Sequence, residues 1–251
     1  MVELSDIYLT YQAPDGEVPA LAGITFDVAE GEFISIVGPS GCGKSTLLNA
    51  IAGLETPDSG SLLVDGHPLR GPDPAVGYMP QKDGLLPWRT IFSNLCLGLE
   101  IAGKNTPARQ AEVRELLARY GLSEFAGKTP SQLSGGMRQR CALIRTLASG
   151  PKLLLLDEAF SALDYQTRLA VSEDIHNIIR REGKTAILVT HDISEAVSLS
   201  DRILLLTRRP ARIKHIYSLD ALRGIPPLAR RDHPAFREFF NAIWKELDLH
   251  V

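Results

Sequence analysis

A glycine-rich segment between a strand pattern and a helix pattern constrains this chain more than any other feature. Residues 38–45 read Gly-Pro-Ser-Gly-Cys-Gly-Lys-Ser, follow the apolar run 33–37 and precede the helical pattern 46–52. Glycines let successive amide N–H groups turn inward around a polyphosphate, at the positive end of the helix dipole. In such a loop Lys44 reaches the β- and γ-phosphates, and the Ser45 hydroxyl can hold magnesium. We expect the phosphates to be contacted by Gly38, Pro39, Ser40, Gly41, Cys42, Gly43, Lys44, Ser45 and Thr46.

Composition favours a soluble globular protein without a membrane span. The chain has 251 residues, of which 44% are hydrophobic and 23% charged, which are ordinary values for a chain with an ample core. Its apolar runs are far shorter than the ~20 residues of a membrane span, and its start does not resemble an export signal. The cysteines Cys42, Cys96 and Cys141 are odd in number and far apart, which favours a reducing cytosol. A net charge of −3 and dispersed arginine pairs give no stripe for nucleic acid.

The order of strand and helix patterns predicts an α/β core with a helical insertion at about 91–150. Alternating patterns at 2–9 and 22–28, with turn residues 13–16 between them, predict an antiparallel start. Further strands are predicted near residues 33–37, 62–64, 76–79, 153–157, 185–190 and 202–206. Helices of the insertion are predicted near residues 91–99, 107–120 and 137–148. The continuous apolar runs after residue 150 are typical of parallel strands that are covered on both faces.

Two adjacent carboxylates follow one of these apolar runs. Asp157 ends the run 153–157, where it can reach a magnesium ion, directly or through water, at the carboxyl edge of a parallel sheet. Glu158 can polarise the water that attacks the γ-phosphate, so it is our candidate general base. Such a pair can also simply cap a helix, but the phosphate loop upstream favours the catalytic interpretation.

A second candidate anion site opens the helical pattern near residue 137. Residues 134–139 read Ser-Gly-Gly-Met-Arg-Gln, so a capping hydroxyl and free N–H groups stand at a helix start. Alone, this segment could be an ordinary capped helix. The order of phosphate loop, Ser-Gly-Gly-x-x-Gln and Asp157-Glu158, however, resembles the ATP-binding-cassette (ABC) ATPases over residues 2 to about 207.

This resemblance implies roles for residues that are uninformative alone. Gln81 is similar to the family's glutamine that approaches magnesium and the attacking water, and His191 to the histidine that contacts the γ-phosphate. Residues 161–164 resemble the loop that crosses between two ATPase subunits, and Tyr11 resembles the aromatic that stacks on adenine, with Tyr8 the weaker candidate. The implied cofactors are ATP and Mg²⁺. The implied site comprises catalytic Glu158, His191, Gln81 and Lys44, magnesium ligands Ser45, Gln81 and Asp157, and further ATP contacts Tyr11, Ser134, Gly135, Gly136, Gln139 and Asp164.

The resemblance also implies a fold and an assembly. The expected fold is an α/β P-loop NTPase with a mixed sheet core, an antiparallel β subdomain and a helical subdomain. The resemblance implies a single ABC ATPase domain at 1–251. Within it we expect a nucleotide-binding core at 1–90 and 151–207, a helical signature subdomain at 91–150 and a short C-terminal tail at 208–251. In a head-to-tail homodimer, each ATP would lie between Lys44 and Ser45 of one subunit and residues 134–136 of the other. Hydrolysis would then let the dimer open.

Two further segments resemble a subgroup of this family. Residues 85–90, Leu-Leu-Pro-Trp-Arg-Thr, and the short tail are similar to ATPases of bacterial importers for nitrate, taurine and aliphatic sulfonates. Leu85, Leu86 and Trp88 either fold into the helical subdomain or form an apolar groove for a helix of a membrane subunit. In the tail, Phe236, Phe240, Ile243 and Trp244 recur at helical spacing, which predicts a helix packed on the core.

The leading hypothesis is an energy-coupling ATPase subunit of a bacterial importer for a small solute that is anionic or resembles a sulfonate or nitrate. It would lie peripherally on the cytoplasmic face of the inner membrane, with transmembrane permease subunits and a periplasmic or lipoprotein solute-binding protein as partners. An exporter ATPase is the nearest alternative. A non-transport cassette acting in DNA repair or on the ribosome is disfavoured, because the chain has neither long coiled-coil insertions nor tandem cassettes. A P-loop GTPase or kinase is disfavoured by the absence of an Asn-Lys-x-Asp string and the presence of Ser134-Gly135-Gly136.

Overall fold

Two β-sheets and the helices packed on them make up the computed structural model, which describes residues 1–14 and 16–248 apart from the Asp248 side chain. Asp15, in the predicted turn, and residues 249–251 of the predicted tail lie outside the described residues. A mixed sheet, an antiparallel sheet and surrounding helices confirm the predicted α/β class. None of the described helices is long and apolar enough to cross a bilayer.

Strands dominate the first part of the chain, helices follow between residues 91 and 148, and single strands and helices alternate from residue 153 to residue 206. The strands are β1 (Val2–Ala13), β2 (Gly16–Val28), β3 (Phe33–Val37), β4 (Ser59–Val64), β5 (His67–Pro68), β6 (Val76–Met79), β7 (Leu153–Asp157), β8 (Thr185–Val189), β9 (Arg202–Leu206) and β10 (Ile213–Ser218). The helices are α1 (Lys44–Ile51), α2 (Ile91–Leu95), α3 (Leu97–Ile101), α4 (Pro107–Arg119), α5 (Gly135–Ala148), α6 (Tyr165–Arg181), α7 (Ile193–Leu199), α8 (Pro227–Arg230) and α9 (Pro234–Asp248). Helices α2 to α5 form the predicted insertion between β6 and β7.

The central sheet brings four functional loops to one edge. Its strand order is β10-β9-β3-β8-β7-β6, and all of its strands are parallel except β10. Every residue of β3 and β8 is buried, as expected for apolar strands covered on both faces. The phosphate loop follows β3, Gln81 follows β6, Asp157 ends β7 and His191 follows β8, so these groups meet at the carboxyl edge.

The antiparallel sheet packs against the same core. Its strand order is β2-β1-β4-β5, and β1 pairs with both β2 and β4. Inward residues of β1 and β2, such as Ile7 and Ile24, are fully buried and form one cluster with Leu47 and Leu48 of α1. This sheet therefore fixes the helix that begins at the phosphate loop.

Several elements differ from the sequence prediction; strand β2, for example, begins at Gly16 rather than at residue 22. The single helix predicted at 91–99 is two short helices, α2 and α3, that meet at Cys96. Strand β1 runs to Ala13 rather than residue 9. Strand β10 was not predicted, because its residues alternate weakly and only pairing with β9 at the sheet edge fixes them as a strand.

The tail helix α9 covers one end of the core. Phe236 and Ile243 are buried against α7 and the central sheet, which confirms the predicted packing for these two positions. The prediction is wrong for Trp244, which is 52% exposed. Phe240 is half-buried against the same core, and Trp244 stacks on it with ring centroids 6.2 Å apart.

Candidate functional site

The phosphate loop has the backbone that its glycines predict. Gly41 and Gly43 have φ of 70° and 124°, values that side chains other than glycine strongly disfavour. Lys44 is buried, and its Nζ donates to the carbonyl oxygens of Gly38 (2.9 Å) and Pro39 (3.0 Å). No described side chain caps the start of α1, so the first N–H groups of this helix are available to an anion.

Oxygen atoms of Ser45 and Asp157 lie together beside this loop. Ser45 Oγ donates to Asp157 Oδ1 at 3.3 Å, and the Tyr78 hydroxyl donates to Asp157 Oδ2 at 3.0 Å and to Asn49 Oδ1 at 3.3 Å. Burial, together with the nearby Asp157 carboxylate, raises the pKa of Tyr78, so its hydroxyl stays a donor. A hydroxyl and a carboxylate are ligands that Mg²⁺ accepts, so these two residues fit a magnesium ion.

The sequence reasoning missed Tyr78 and Asn49. Tyr78 lies within the predicted strand 76–79, but nothing in the local pattern says that its hydroxyl points toward Asp157. That contact exists because β6 is the parallel neighbour of β7, with Tyr78 paired to Leu155. Asn49 lies on α1 four residues after Ser45, and this i, i+4 spacing on one helix face was the available signal.

Two predicted residues, Gln81 and His191, meet at the Glu158 carboxylate. Gln81 Nε2 donates to Glu158 Oε2 at 3.3 Å and to Ser161 Oγ at 3.1 Å, and His191 Nδ1 lies 3.3 Å from the same Glu158 oxygen. The Glu158 side chain is 25% exposed and that of His191 is 59% exposed. Three loops thus bring an acid, an amide and an imidazole together at a surface that solvent and a ligand can reach.

Glu158 is held in an unfavourable backbone conformation. Its φ of 46° is in the left-handed region that costs a non-glycine residue roughly 1–3 kcal/mol. The Glu158 N–H donates to the carbonyl of Val189 at 2.9 Å, and the Ser161 hydroxyl donates to the Glu158 carbonyl at 2.9 Å. These bonds direct the carboxylate toward the loops that follow β6 and β8.

Tyr11 lies beside the phosphate loop. Its hydroxyl donates to Thr46 Oγ1 at 3.3 Å, and its ring is half-buried against the core that contains α1. Tyr8 instead points its hydroxyl at Gly23 across β2. The structure therefore brings Tyr11, rather than Tyr8, to the loop.

The Ser-Gly-Gly segment is built differently. Ser134 Oγ accepts a hydrogen bond from the Met137 N–H at 3.3 Å and caps α5. A Cβ at Gly136 would lie 2.7 Å from Val171 Cγ2, and a Cβ at Gly135 would lie 3.1 Å from Leu163 Cδ2, so these glycines let α5 approach α6 closely. Within residues 1–14 and 16–248, no hydrogen bond or ion pair joins this segment to the phosphate loop.

Two other predicted ATP contacts, Asp164 and Gln139, lie at positions set by the helices that carry them. Asp164 caps α6 by accepting from the Thr167 N–H at 3.1 Å, and hydrogen bonds from the Thr167 side chain and N–H lower the Asp164 pKa. Gln139 is buried on α5, and its Oε1 has no hydrogen-bond partner in the described part of the chain. The structure thus does not bring Gln139 to the surface that carries Ser134.

The segment 85–90 is divided between core and surface. Leu85 is buried in the hydrophobic cluster that helices α2 to α5 form, whereas Trp88 is 76% exposed. The fully buried Asn94 fixes the turn between them, because its side chain bonds the backbone of Leu86, Arg89 and Thr90. Neither of the two predicted alternatives therefore applies to the whole segment.

Comparisons with known proteins agree on one family. A family model described as "ABC transporter" matches residues 21–161. The ABC transporter ATP-binding protein YtlC of Bacillus subtilis (strain 168), itself described as uncharacterized, is 45% identical over 240 residues, covering 95% of this chain and 92% of that protein. The taurine import ATP-binding protein TauB of Yersinia pestis bv. Antiqua (strain Antiqua) is 42% identical over 240 residues, covering 94% and 92%. A dimeric, post-hydrolysis structure of the ATP-binding cassette MJ0796, bound to ADP and Pi, is 31% identical with a TM-score of 0.73, covering 87% of this chain and 99% of that chain.

Proposed function

The chain belongs to the ABC transporter family as an ATP-hydrolysing cassette, and on that premise we propose that it is the energy-coupling subunit of a bacterial importer for a small anionic solute. The similarity to TauB over nearly the whole chain supports import, and taurine is itself a small sulfonate. The exposed residues of segment 85–90 also resemble that subgroup. The observation that carries the catalytic part is the meeting of Gln81, Glu158 and His191 beside the phosphate loop.

In this proposal each group acts on ATP from a position that the fold fixes. Lys44 and the N–H groups of the loop bind the phosphates, and Tyr11 supplies an aromatic face for adenine. Glu158 orients the attacking water and takes its proton, while His191 and Gln81 hold the γ-phosphate and that water in place. When bound, magnesium neutralises charge on the phosphates. Ser45 and Asp157, with Gln81 nearby, are the residues that would hold it.

We further propose that the site is completed by a second copy of the chain. Ser134 and Gly135 stand at a helix start with a hydroxyl and N–H groups suited to phosphate, yet they have no link to the phosphate loop of their own chain. Two ATP molecules between head-to-tail subunits would use both surfaces, and the dimeric MJ0796 cassette supports this assembly. Release of the γ-phosphate would remove the bridge between the subunits and let them separate.

The outer surface suggests where the permease binds. A groove of about 410 Å³ lies between β6 and the helices α3 and α5, and Leu97, Ile101 and Arg145 are among its lining residues. Ile101 is 80% exposed, which is costly for an isolated apolar side chain in water. Arg89, which follows Trp88, pairs with Glu100 of α3. We propose that a helix of a transmembrane permease binds in this groove, and that the chain is thereby held peripherally on the cytoplasmic face of the inner membrane. The division into core (1–90 and 151–207), helical subdomain (91–150) and tail (208–251) follows from the same assignment.

The catalytic proposal is tested with Glu158→Gln. We expect ATPase activity to fall at least about 100-fold, because the amide cannot accept the proton of the attacking water, while ATP binding is retained. The variant should form an ATP-dependent dimer, measured by size-exclusion chromatography with light scattering. Glu238→Gln, at an exposed position on α9, is the matched control and should behave as wild type. Wild-type turnover by Glu158→Gln would remove Glu158 from its proposed role.

Import is tested with the permease encoded beside this chain's gene. We expect a purified complex whose ATPase activity rises when a solute-binding protein loaded with a small anion is added. Stimulation by the loaded form and not by the empty form would support an importer. A complex that ignores every solute-binding protein but responds to solute on the ATPase side would instead favour export.

A further inference from the structure

One arginine on α6 contacts two loops of the proposed site. The Arg168 guanidinium donates through NH2 to the Leu163 carbonyl at 3.2 Å, and its NH1 lies 3.5 Å from Asp192 Oδ2. Leu163 belongs to the crossing loop, residues 161–164, and Asp192 immediately follows His191. Arg168 therefore spans the distance from the crossing loop to the loop that carries the histidine.

The contact is anchored at both ends. Asp192 caps α7, because its Oδ1 accepts from the Glu195 N–H at 3.2 Å, and its own N–H donates to Thr190 Oγ1 at 3.1 Å. At the other end, Leu163 is buried and the Arg168 N–H donates to the Asp164 carbonyl at 2.8 Å. The crossing loop precedes α6 and Asp192 caps α7. Because Arg168 bonds to both, a shift of the crossing loop would move Asp192 and, with it, His191.

The surroundings favour arginine over any other cation here. Arg168 Nε is buried and has no hydrogen-bond partner among the described residues, so the guanidinium interacts with these two loops through NH1 and NH2. Its planar fork can bond a carbonyl and a carboxylate at once, whereas a lysine ammonium on a flexible stem cannot fix both partners in one geometry. The buried carboxyl of Glu195 also lies within electrostatic range of both Arg168 and Asp192.

We propose that Arg168 is a positioning residue that couples the crossing loop to His191. In this inference, which rests on the proposed dimer, the second subunit engages the crossing loop and Arg168 transmits that contact to Asp192. His191 then takes the orientation in which it contacts the γ-phosphate. Arg168 itself does not touch ATP.

The experiment compares Arg168→Gln, Arg168→Lys and the control Arg181→Gln. Arg181 lies on the same helix, is exposed, and belongs to neither loop. For Arg168→Gln we expect the kcat of ATP hydrolysis to fall about 10- to 100-fold, as for a catalytic group displaced by a fraction of an ångström to one ångström, with KM for ATP changed less than about threefold. Arg168→Lys should recover part of kcat, and Arg181→Gln should match wild type.

A second readout reports His191 directly. In the ATP-bound dimer of Glu158→Gln, the NMR signal of the His191 ring, assigned by its loss in His191→Ala, should shift when Arg168→Gln is added and stay in place when Arg181→Gln is added. Asp192→Asn, which keeps the cap but weakens the ion pair, should shift the same signal if Arg168→Gln proves too unstable to study. An unmoved His191 signal together with unchanged kcat would overturn the inference. A Glu158→Gln variant that binds ATP without dimerising would instead contradict the proposed dimer.

Discussion

The phosphate-loop region, which comprises residues 38–46 and the loops that carry Gln81, Glu158 and His191, differs from the Ser-Gly-Gly segment, residues 134–136, in how many side chains from different loops contact one another. Around the loop, side chains from four strand ends contact one another, with Ser45 bonded to Asp157 and Gln81 bonded to Glu158. At residues 134–136, the serine and glycines serve only their own helix and its packing on α6. One region is thus a site in itself, whereas the other is a surface that becomes a site only when something is brought to it.

The two regions also differ in what they cost the fold. In the loop region, Glu158 is a non-glycine residue with a positive φ. The carboxyl of Glu195 is buried on α7, the helix that begins directly after the His191 loop. The Ser-Gly-Gly segment contains an ordinary N-cap and two glycines in helical geometry. Unfavourable features concentrated on one side are expected where chemistry takes place. This difference is consistent with the proposed function, in which the bond-breaking step belongs to the loop region and recognition across an interface to the segment.

The largest effect should come from Lys44→Ala. Removing the buried ammonium leaves the carbonyls of Gly38 and Pro39 without their donor and removes the charge that faces the phosphates. We expect ATP affinity to fall by a factor of about 100 or more, measured by fluorescence with a labelled ATP analogue. Lys152→Ala, which removes an exposed lysine paired with Asp65, is the control. Unchanged ATP affinity in Lys44→Ala would mean that the loop region does not bind phosphate on its own.

A smaller, selective effect should follow Ser134→Ala. We expect ATPase activity to fall about 10- to 100-fold through loss of one donor in the proposed shared site, with ATP affinity of the monomer unchanged. Because the substitution also removes an N-cap worth about 1 kcal/mol, Thr106→Ala provides the match: Thr106 caps α4 in the same way, accepting from the Arg109 N–H at 3.4 Å. If both variants lost activity equally, helix stability would explain the result and the segment would have no role at an interface.

The cost of the loop region can be tested through Glu195→Gln. Burial raises the pKa of Glu195 from 4.5 to about 7, so between these values the folded chain holds a proton that the unfolded chain has lost. Raising the pH through this window should therefore lower the free energy of unfolding of the wild type. Glu195→Gln should be more stable than the wild type at pH 8, by about 1–3 kcal/mol, and the difference should shrink toward pH 5. Denaturation with urea across this range measures it, and a difference that does not depend on pH would contradict the cause.

Much of the loop region could be predicted because its residues are fixed by local sequence. A phosphate loop after an apolar strand, and an Asp-Glu pair after another, need only the rule that parallel strands end at one edge. The position of Ser134 at a helix start was equally local. Long-range packing decided the rest: β10 exists through its pairing with β9, and Gln139 is buried because α5 packs on β6 and α6. The split of segment 85–90 depends on Asn94, whose side chain makes four hydrogen bonds to the backbone of that segment. The helical pattern around Asn94 gives no sign of these bonds.

Tyr78 is the part of the loop region that sequence did not disclose, and Tyr78→Phe should give the smallest effect. The phenol donates to both Asp157 and Asn49, so its loss should leave the Asp157 carboxylate less well oriented without removing any proposed ligand. We expect the Mg²⁺ concentration for half-maximal ATPase activity to rise about 3- to 10-fold, at the low end of the range for a residue that orients a metal ligand, while maximal activity is nearly unchanged. Tyr120→Phe, which removes a phenol bonded to Glu182 far along α6, controls for the loss of a buried hydroxyl. An unshifted Mg²⁺ dependence would show that Asp157 is positioned by its strand alone, and would bring the loop region closer to the Ser-Gly-Gly segment in how little it depends on neighbours.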